Sequence, residues 1–213
     1  MLRFDYIALT APAFLLAITV HEYSHAYMAY RFGDNTARDM GRLTLNPLPH
    51  LDLFGTIALL ILGFGWAKPV MVNPANLKNP RQDNLWISLA GPVSNLLGAF
   101  VFGLLYRVLG PYLATFGTGQ IILTMILLAV RLNIILAVFN ILPIPPLDGF
   151  HVLEGLVSAP VYVRLQAFER VGSIVLFGLI LLSSFARINI FGIIFNPFLA
   201  IFGGVFAGQN LAF

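Results

Sequence analysis

Long apolar runs separated by short polar connections make up most of the chain. A membrane-spanning helix needs about 20 mostly apolar residues, and the first, third and fourth runs are long enough to cross a bilayer. The second run, of about 14 residues, has the length of a re-entrant segment. The last two runs are shorter and are joined by residues 186–189, which predicts a tight helical hairpin. The runs cover residues 6–30, 53–66, 85–109, 121–142, 171–185 and 190–205.

Composition places this pattern in a membrane. Hydrophobic residues make up 59% of the 213 positions and charged residues only 10%, whereas typical soluble domains carry about 25% charged residues. So few charges cannot cover the surface of a water-soluble protein, which excludes a soluble enzyme, a disordered chain and a nucleic-acid-binding protein. The chain has no cysteine, which excludes disulfides and thiolate zinc ligands. We therefore expect an all-α polytopic membrane protein with a single membrane-embedded domain over residues 1–213.

The connection between the first and third runs differs from the rest of the chain because it is rich in proline. Within it, residues 66–72 read Trp-Ala-Lys-Pro-Val-Met-Val. Alternation of this kind predicts a short edge strand, where proline is tolerated. The sequence thus predicts a small membrane-associated β element beside the helices.

Candidate chemistry begins near the far end of the first run, with His21-Glu22-Tyr23-Ser24-His25. Two histidines four positions apart lie on one helical face and can bind one zinc ion, while the glutamate between them can act on a water. A polar helix end that faces lipid headgroups is the alternative. Counted at about 1.5 Å per residue from the start of the run, His21 lies about 20 Å into the bilayer. Ionisable groups at that depth are costly and mark function, which favours a metal site.

A catalytic zinc site needs a third protein ligand. The fourth run ends at Asn140, and the prolines at 143, 145 and 146 break the helix. An extended backbone at membrane depth must line an enclosed or wet cavity, so Asp148 is well placed to bind a metal, although Asp148-Gly149 can also be a simple turn. His151 is the main rival, because it follows on the same helical face. The candidates are Asp148, His151, Glu154, His50 and Asp52.

Together these motifs resemble the site-2 protease family of intramembrane zinc metalloproteases, in its short form without a PDZ domain. The segment 21–25 is similar to the family's HExxH motif, and residues 140–149 are similar to its NxxPxxxLDG motif. Gly91-Pro92 with Asn95, and the segment 65–69, extend the resemblance over residues 5–155, which would form the catalytic core, with residues 160–213 as a C-terminal helical hairpin.

The resemblance implies a zinc endopeptidase that hydrolyses peptide bonds within or near the transmembrane helices of its substrates. It implies one Zn²⁺ per chain, bound by His21, His25 and Asp148, with Glu22 as the catalytic acid and base. The partners would be single-pass membrane proteins and the lipid bilayer, with no nucleic acid. The residues expected to bind substrate are Asn140, Asn95, Lys68, Pro69 and Val70.

Other interpretations of the same residues remain open at this stage. An ion or metal transporter also places ionisable groups inside the membrane, and an inactive relative would serve as a scaffold. Asn95 can instead make an interhelical hydrogen bond without a catalytic role. Arg131 can pair with Glu154 or extend to the membrane surface, and His50 and Asp52 are expected to face the interface.

The distribution of lysine and arginine bears on topology. If residues 53–66 span the membrane, the two metal-binding ends lie on opposite faces and the cations divide six against five. If that run is re-entrant, both ends share one face and the division becomes eight against three. The positive-inside rule then places the active site toward the cytoplasm of a cell membrane, with five spanning helices and one re-entrant segment. The eight are Arg31, Arg38, Arg42, Lys68, Lys78, Arg81, Arg164 and Arg170, and the three are Arg3, Arg107 and Arg187.

Overall fold

A computed structural model describes residues 4–62, 65–185 and 189–213. These residues are mainly helical, and short turns at Leu48–His50 and Pro74–Asn76 interrupt the connections. Arg3, Arg187 and part of the second apolar run lie outside the described residues. The helices are α1 (Phe4–Arg31), α2 (Thr36–Asp39), α3 (Leu53–Leu62), α4 (Pro80–Leu113), α5 (Gly119–Asn140), α6 (Asp148–Leu156), α7 (Ala159–Phe185) and α8 (Ile190–Ala207).

Within the described residues, four helices are long and apolar enough to cross a membrane: α1 from Ile7 onward, α4, α5 and α8. This confirms the expected class of helical membrane protein. Helix α3 has ten residues and is about 15 Å long, which is too short to cross. Among the described residues, α7 contains the shorter apolar stretch Val171–Ile180. The expected number of five spanning helices is therefore not confirmed.

Helix α4 lies at the centre and packs against α1, α5, α6 and α8. Small residues allow these close approaches, as is usual between helices in a bilayer. A side chain at Gly103 would come within 2.7 Å of the Phe206 backbone in α8, and one at Gly98 within 2.8 Å of Asn133 in α5. Between these helices lies a buried cluster of Ala99, Val130, Ile134, Val138, Phe195 and Leu199.

The direction of α8 is set by contacts at both of its ends. Near its start, Phe191 packs against Phe139, which lies at the carboxyl end of α5. At its end, the Arg107 guanidinium of α4 donates to the carbonyls of Gly204, Val205 and Phe206, in the last turn of the helix, where carbonyls lack their usual intrahelical partners. Helix α8 therefore runs antiparallel to α5 and parallel to α4, whereas five spanning helices would give it the opposite direction. The connection at 186–188 lies outside the described residues.

The expected β element is not confirmed in the described part of the chain, where residues 65–72 form one isolated bridge, between Leu51 and Ala67. The Lys68 N–H donates to the His50 carbonyl at 2.9 Å. Pro69 has no N–H to donate, and the Val70 N–H donates to Glu22 instead of to a strand. The segment is thus held by side chains rather than by a sheet.

Candidate active site

Two histidines and one aspartate converge between α1 and α6. His21 and His25 are buried on the face of α1 that packs against α4, and their Nε2 atoms are 3.0 Å apart. Asp148 begins α6, and its Oδ2 lies 3.2 Å from Nε2 of His21 and 3.3 Å from Nε2 of His25. All three ligand atoms lie within 4.8 Å of one another, so the group could hold one metal ion.

Hydrogen bonds on the far side of each imidazole orient the metal-binding nitrogens. The His21 Nδ1–H donates to Oδ1 of Asn95 at 2.6 Å, and the His25 Nδ1–H donates to the Ile87 carbonyl at 2.7 Å. Asn95 is fixed with its oxygen toward His21, because its Nδ2 donates to the Ala17 carbonyl. With both protons on Nδ1, each neutral ring directs an Nε2 lone pair at Asp148.

The two Nε2 atoms and Oδ2 of Asp148 fit a bound cation better than they fit hydrogen bonds to one another. In neutral rings with the proton on Nδ1, neither Nε2 has a proton to give to the other ring or to the carboxylate, and Oδ2 of Asp148 is buried without a hydrogen-bond partner. A metal ion satisfies all three lone pairs at once. Two imidazoles and one carboxylate form a ligand set of catalytic zinc, which leaves a fourth position for water or substrate.

Glycine allows α4 to approach the histidines. A Cβ at Gly91 would overlap Nε2 of His25 and lie 2.6 Å from Cε1 of His21. A second glycine, Gly149, follows the aspartate, and a Cβ there would overlap the carbonyl of Ile141. The proline-containing connection between α5 and α6 can therefore fold closely enough to bring Asp148 to α1.

Glu22 is buried beside the metal-binding group and faces the segment 65–72. Its Oε2 accepts a hydrogen bond from the Val70 N–H at 3.2 Å and lies 4.0 Å from Nη2 of Arg42. A cavity of about 810 Å³ reaches the histidines, Glu22 and Asp148, which is the size of a typical ligand site. A carboxylate, a possible metal and space for a peptide are thus adjacent.

The residues expected to bind substrate divide into two groups. Pro69, Val70 and Asn140 line the cavity, although the Asn140 side chain donates to the Leu136 carbonyl of its own helix. Lys68 is exposed next to this wall. Asn95 is fully buried behind His21, so its position corresponds to the interhelical hydrogen bond considered above.

The rival ligands lie outside the metal-binding group. His151 lines the cavity, and its Nδ1 is 2.9 Å from Oε2 of Glu154. His50 is fully buried rather than at the interface, and its Nε2–H donates to the Thr44 carbonyl. Asp52 accepts a hydrogen bond from the Gly55 N–H in the first turn of α3. The Arg131 guanidinium lies 4.0 Å from the centre of the Phe213 ring, while Glu154 pairs with His151.

Two residues at the site were not found by sequence reasoning. Asn133 accepts a hydrogen bond from Asn95 and donates to the Ala129 carbonyl, which extends the support of His21 into α5. The sequence did indicate Asn133 as a candidate, because it is an amide in an apolar run, two turns before Asn140. Arg42 gave no signal, since it lies in an irregular connection and its contacts depend on the tertiary fold.

Comparison with known proteins identifies the family to which the chain belongs. A sequence profile of peptidase family M50 matches residues 114–185. "Putative zinc metalloprotease YwhC" of Bacillus subtilis is 44% identical over 182 residues, which are 81% of this chain and 82% of that protein. The chain belongs to peptidase family M50. It is a metalloprotease with zinc as its cofactor, and no observation supports the alternative of an ion transporter.

More distant relatives carry similar names. "Putative zinc metalloprotease Rip2" of Mycolicibacterium smegmatis is 35% identical over 152 residues, which are 68% of this chain and 56% of that protein. "Putative zinc metalloprotease MJ0611" of Methanocaldococcus jannaschii is 33% identical over 102 residues, which are 48% of this chain and 50% of that protein. No solved structure matches the chain significantly.

Proposed function

We propose that this protein is an intramembrane protease that hydrolyses peptide bonds within or near the transmembrane helices of single-pass membrane proteins. The observation that carries the proposal is the convergence of His21, His25 and Asp148 next to Glu22. The two histidines and Glu22 belong to α1, which is long and apolar enough to span a bilayer. A peptide bond hydrolysed there would be cut at membrane depth. Regulated intramembrane proteolysis is the process that such an enzyme would serve.

The proposed mechanism assigns a separate task to each polar group. His21, His25 and Asp148 would hold the zinc ion, which would supply Lewis acidity and make a water at the site more acidic. Glu22 accepts the proton of the attacking water and then delivers it to the leaving amine. The Val70 N–H holds one oxygen of Glu22, so the carboxylate is already oriented before substrate arrives.

Substrate helices must open before they can be cut, because their peptide groups are hydrogen-bonded within the helix. Pro69 and Val70 line the cavity next to Glu22, in a segment without regular secondary structure. We propose that an unwound substrate stretch lies along this segment, with Lys68 at its edge and Asn140 on the opposite wall. Contacts of this kind use main-chain groups and tolerate many sequences, so helix-weakening residues in the substrate would favour cleavage.

For topology we propose four crossings, by α1, α4, α5 and α8. The parallel course of α8 and α4 supports this revision of the five-helix expectation. Helix α3 would be a re-entrant segment, and α7 would lie along the face where α6 ends. Most lysines and arginines belong to the face that carries the ends of α1 and α5, so the positive-inside rule orients that face to the cytoplasm of the cell membrane.

The first test measures bound zinc and cleavage of a model transmembrane substrate by the detergent-purified protein. We expect one zinc per chain in the wild type, little zinc in Asp148→Ala, and normal zinc without cleavage in Glu22→Gln. The matched control is His151→Ala, which removes a nearby imidazole that also lines the cavity and should keep its zinc.

The outcomes separate the alternatives. Zinc retained in Asp148→Ala but lost in His151→Ala would transfer the third ligand to His151. Full cleavage by Glu22→Gln would remove the proposed acid and base. A wild type that binds zinc but cuts only unstructured soluble peptides would contradict the intramembrane substrate class.

A further inference from the structure

One buried cation next to the site has no part in the mechanism described so far. Arg42 is only 3% exposed although it belongs to an irregular connection. Its Nη2 donates to the Lys68 carbonyl and lies 3.3 Å from Nδ1 of His50. The His50 Nε2–H donates to Thr44, so Nδ1 of His50 is free to accept from Arg42.

The same guanidinium also faces the active-site carboxylate. Nη2 of Arg42 is 4.0 Å from Oε2 of Glu22, and both side chains are buried. Burying an arginine is costly unless it is paired and hydrogen-bonded. In the part of the chain that the structure describes, Glu22 is the acidic residue that forms an ion pair with Arg42. Arg42 therefore lies next to Glu22, the proposed acid and base, and next to the cavity wall, so it is placed to act on both.

The contacts form a closed arrangement around Glu22. Arg42 holds the Lys68 carbonyl, and two residues later the Val70 N–H donates to the same Glu22 oxygen that Arg42 faces. A shift of the segment would therefore move the N–H that orients Glu22. Conversely, the Arg42 guanidinium holds residues 68–70 at a fixed distance from the Glu22 carboxylate.

We propose that Arg42 is a positioning residue for proteolysis, which acts by fixing Glu22 and the cavity-lining segment 68–70 in one mutual geometry. The inference rests on the proposed function of the site. It adds a coupling: the group that transfers protons and the backbone that receives substrate are held by one side chain. Among the described residues, the polar contacts of Arg42 are to Lys68, His50 and Glu22 and to none of the three proposed zinc ligands, so its effect should be separable from metal binding.

The experiment compares Arg42→Ala, Arg42→Lys and Arg42→Gln with wild-type protein in the cleavage and zinc assays. We expect kcat to fall by about 10- to 100-fold in Arg42→Ala, the range for groups that orient active-site residues, with one zinc per chain retained. Arg42→Lys should recover little, because the shorter lysine side chain does not bring its nitrogen to the position of Nη2, through which Arg42 makes these contacts. The matched control is Arg38→Ala, which removes an exposed arginine four positions earlier.

Added guanidinium distinguishes positioning from general structural support. Millimolar guanidinium should restore a large part of kcat to Arg42→Ala and leave Arg38→Ala and wild type unchanged, because it can occupy the vacated site. Val70→Pro tests the same geometry from the other side, since it removes the N–H that holds Glu22 and leaves the Arg42 guanidinium in place. We expect this variant to keep zinc and lose kcat without rescue by guanidinium.

Several results would overturn the inference. Normal kcat in Arg42→Ala would do so, as would wild-type activity in Arg42→Lys together with no guanidinium rescue of Arg42→Ala. Loss of zinc in both Arg42→Ala and Val70→Pro would assign the defect to the metal site instead of to Glu22. A wild-type protein that does not cleave the substrate would refute the proposed function itself, which is a distinguishable failure.

Discussion

At the scale of single residues, the position of one proton on each imidazole decides what the histidine pair can do. Asn95 and the Ile87 carbonyl accept the Nδ1 protons and thereby direct both Nε2 lone pairs at Asp148. A ring with its proton on Nε2 would face the other ring and the carboxylate as a hydrogen-bond donor, and could not bind a metal through that atom. The supporting groups are therefore part of the zinc site.

The hydrogen-bond chain from His21 through Asn95 to Asn133 predicts a graded loss of metal affinity. Asn95→Leu should weaken zinc binding by about 10- to 100-fold, and Asn133→Leu by less, because it acts through Asn95. Competition with a chelator measures this directly. Asn196→Leu in α8, which contacts the C-terminal segment, is the control and should bind zinc normally. Equal zinc affinity in all three variants would exclude a role for this hydrogen-bond chain in metal binding.

A second prediction concerns the space at position 91. Gly91→Ala should abolish zinc binding and cleavage, because the added methyl group overlaps His25 and crowds His21. Gly110→Ala provides the comparison in the same helix, since nothing lies within 4 Å of its added Cβ. Metal analysis of the two purified proteins checks the result, and a Gly91→Ala protein with full zinc would contradict the packing described here.

At the scale of elements, the sequence predicted what depends on local pattern. Apolar length indicated α1, α4 and α5, and the two motifs indicated which residues meet. It could not predict that residues 65–72 would lack a sheet, because the groups that hold them, Arg42 and Glu22, come from other elements. Nor could it predict the direction of α8, which depends on contacts between Arg107 and carbonyls far along the chain. Long-range partners of this kind leave no local signal.

The connection after α1 carries a pH-sensitive attachment. Asp34 is fully buried and accepts hydrogen bonds from Thr36, Asn73 and Asn76, thereby joining α1 to the turn before α4. Burial alone would raise the pKa of Asp34, but these hydrogen bonds outweigh it and lower the pKa below its usual 3.8. The attachment is thus fully stabilising above pH 3.8 and is lost as the pH falls through the lowered pKa.

This attachment can be observed through Trp66, which lies earlier in the connection that Asp34 holds at Asn73 and Asn76. In a Trp86→Phe background, we expect Trp66 fluorescence to change as the pH falls below 3.8. The Asp34→Asn variant should lack that transition, because its amide does not titrate in this range. The same transition in both proteins would assign the change to another group.

At the scale of the whole molecule, the direction of α8 determines where the chain ends relative to the membrane. Four crossings place residues that follow α8 on the face where α4 ends, whereas five crossings would return them to the face where α1 ends. The chain has no cysteine, so single cysteines can report on each connection without background.

We predict that Gln209→Cys will react with a membrane-impermeant thiol reagent from the same side as Gly117→Cys, in the connection between α4 and α5. Ser158→Cys, between α6 and α7, should react from the opposite side. Labelling of intact cells and of inside-out vesicles distinguishes the sides. If Gln209→Cys and Ser158→Cys react from one side, the topology has an odd number of crossings.

The three residues proposed as zinc ligands come from two helices that are far apart in sequence, α1 and α6. A bound ion would therefore close a long loop that includes α3, α4 and α5, and it would resist the separation of the two ends in the way a covalent bridge does. Ions that bind only the folded state add their binding free energy to its stability. In a cell short of zinc, this protease would lose that contribution, and α6 would be held near α1 only by protein contacts such as its packing against α4.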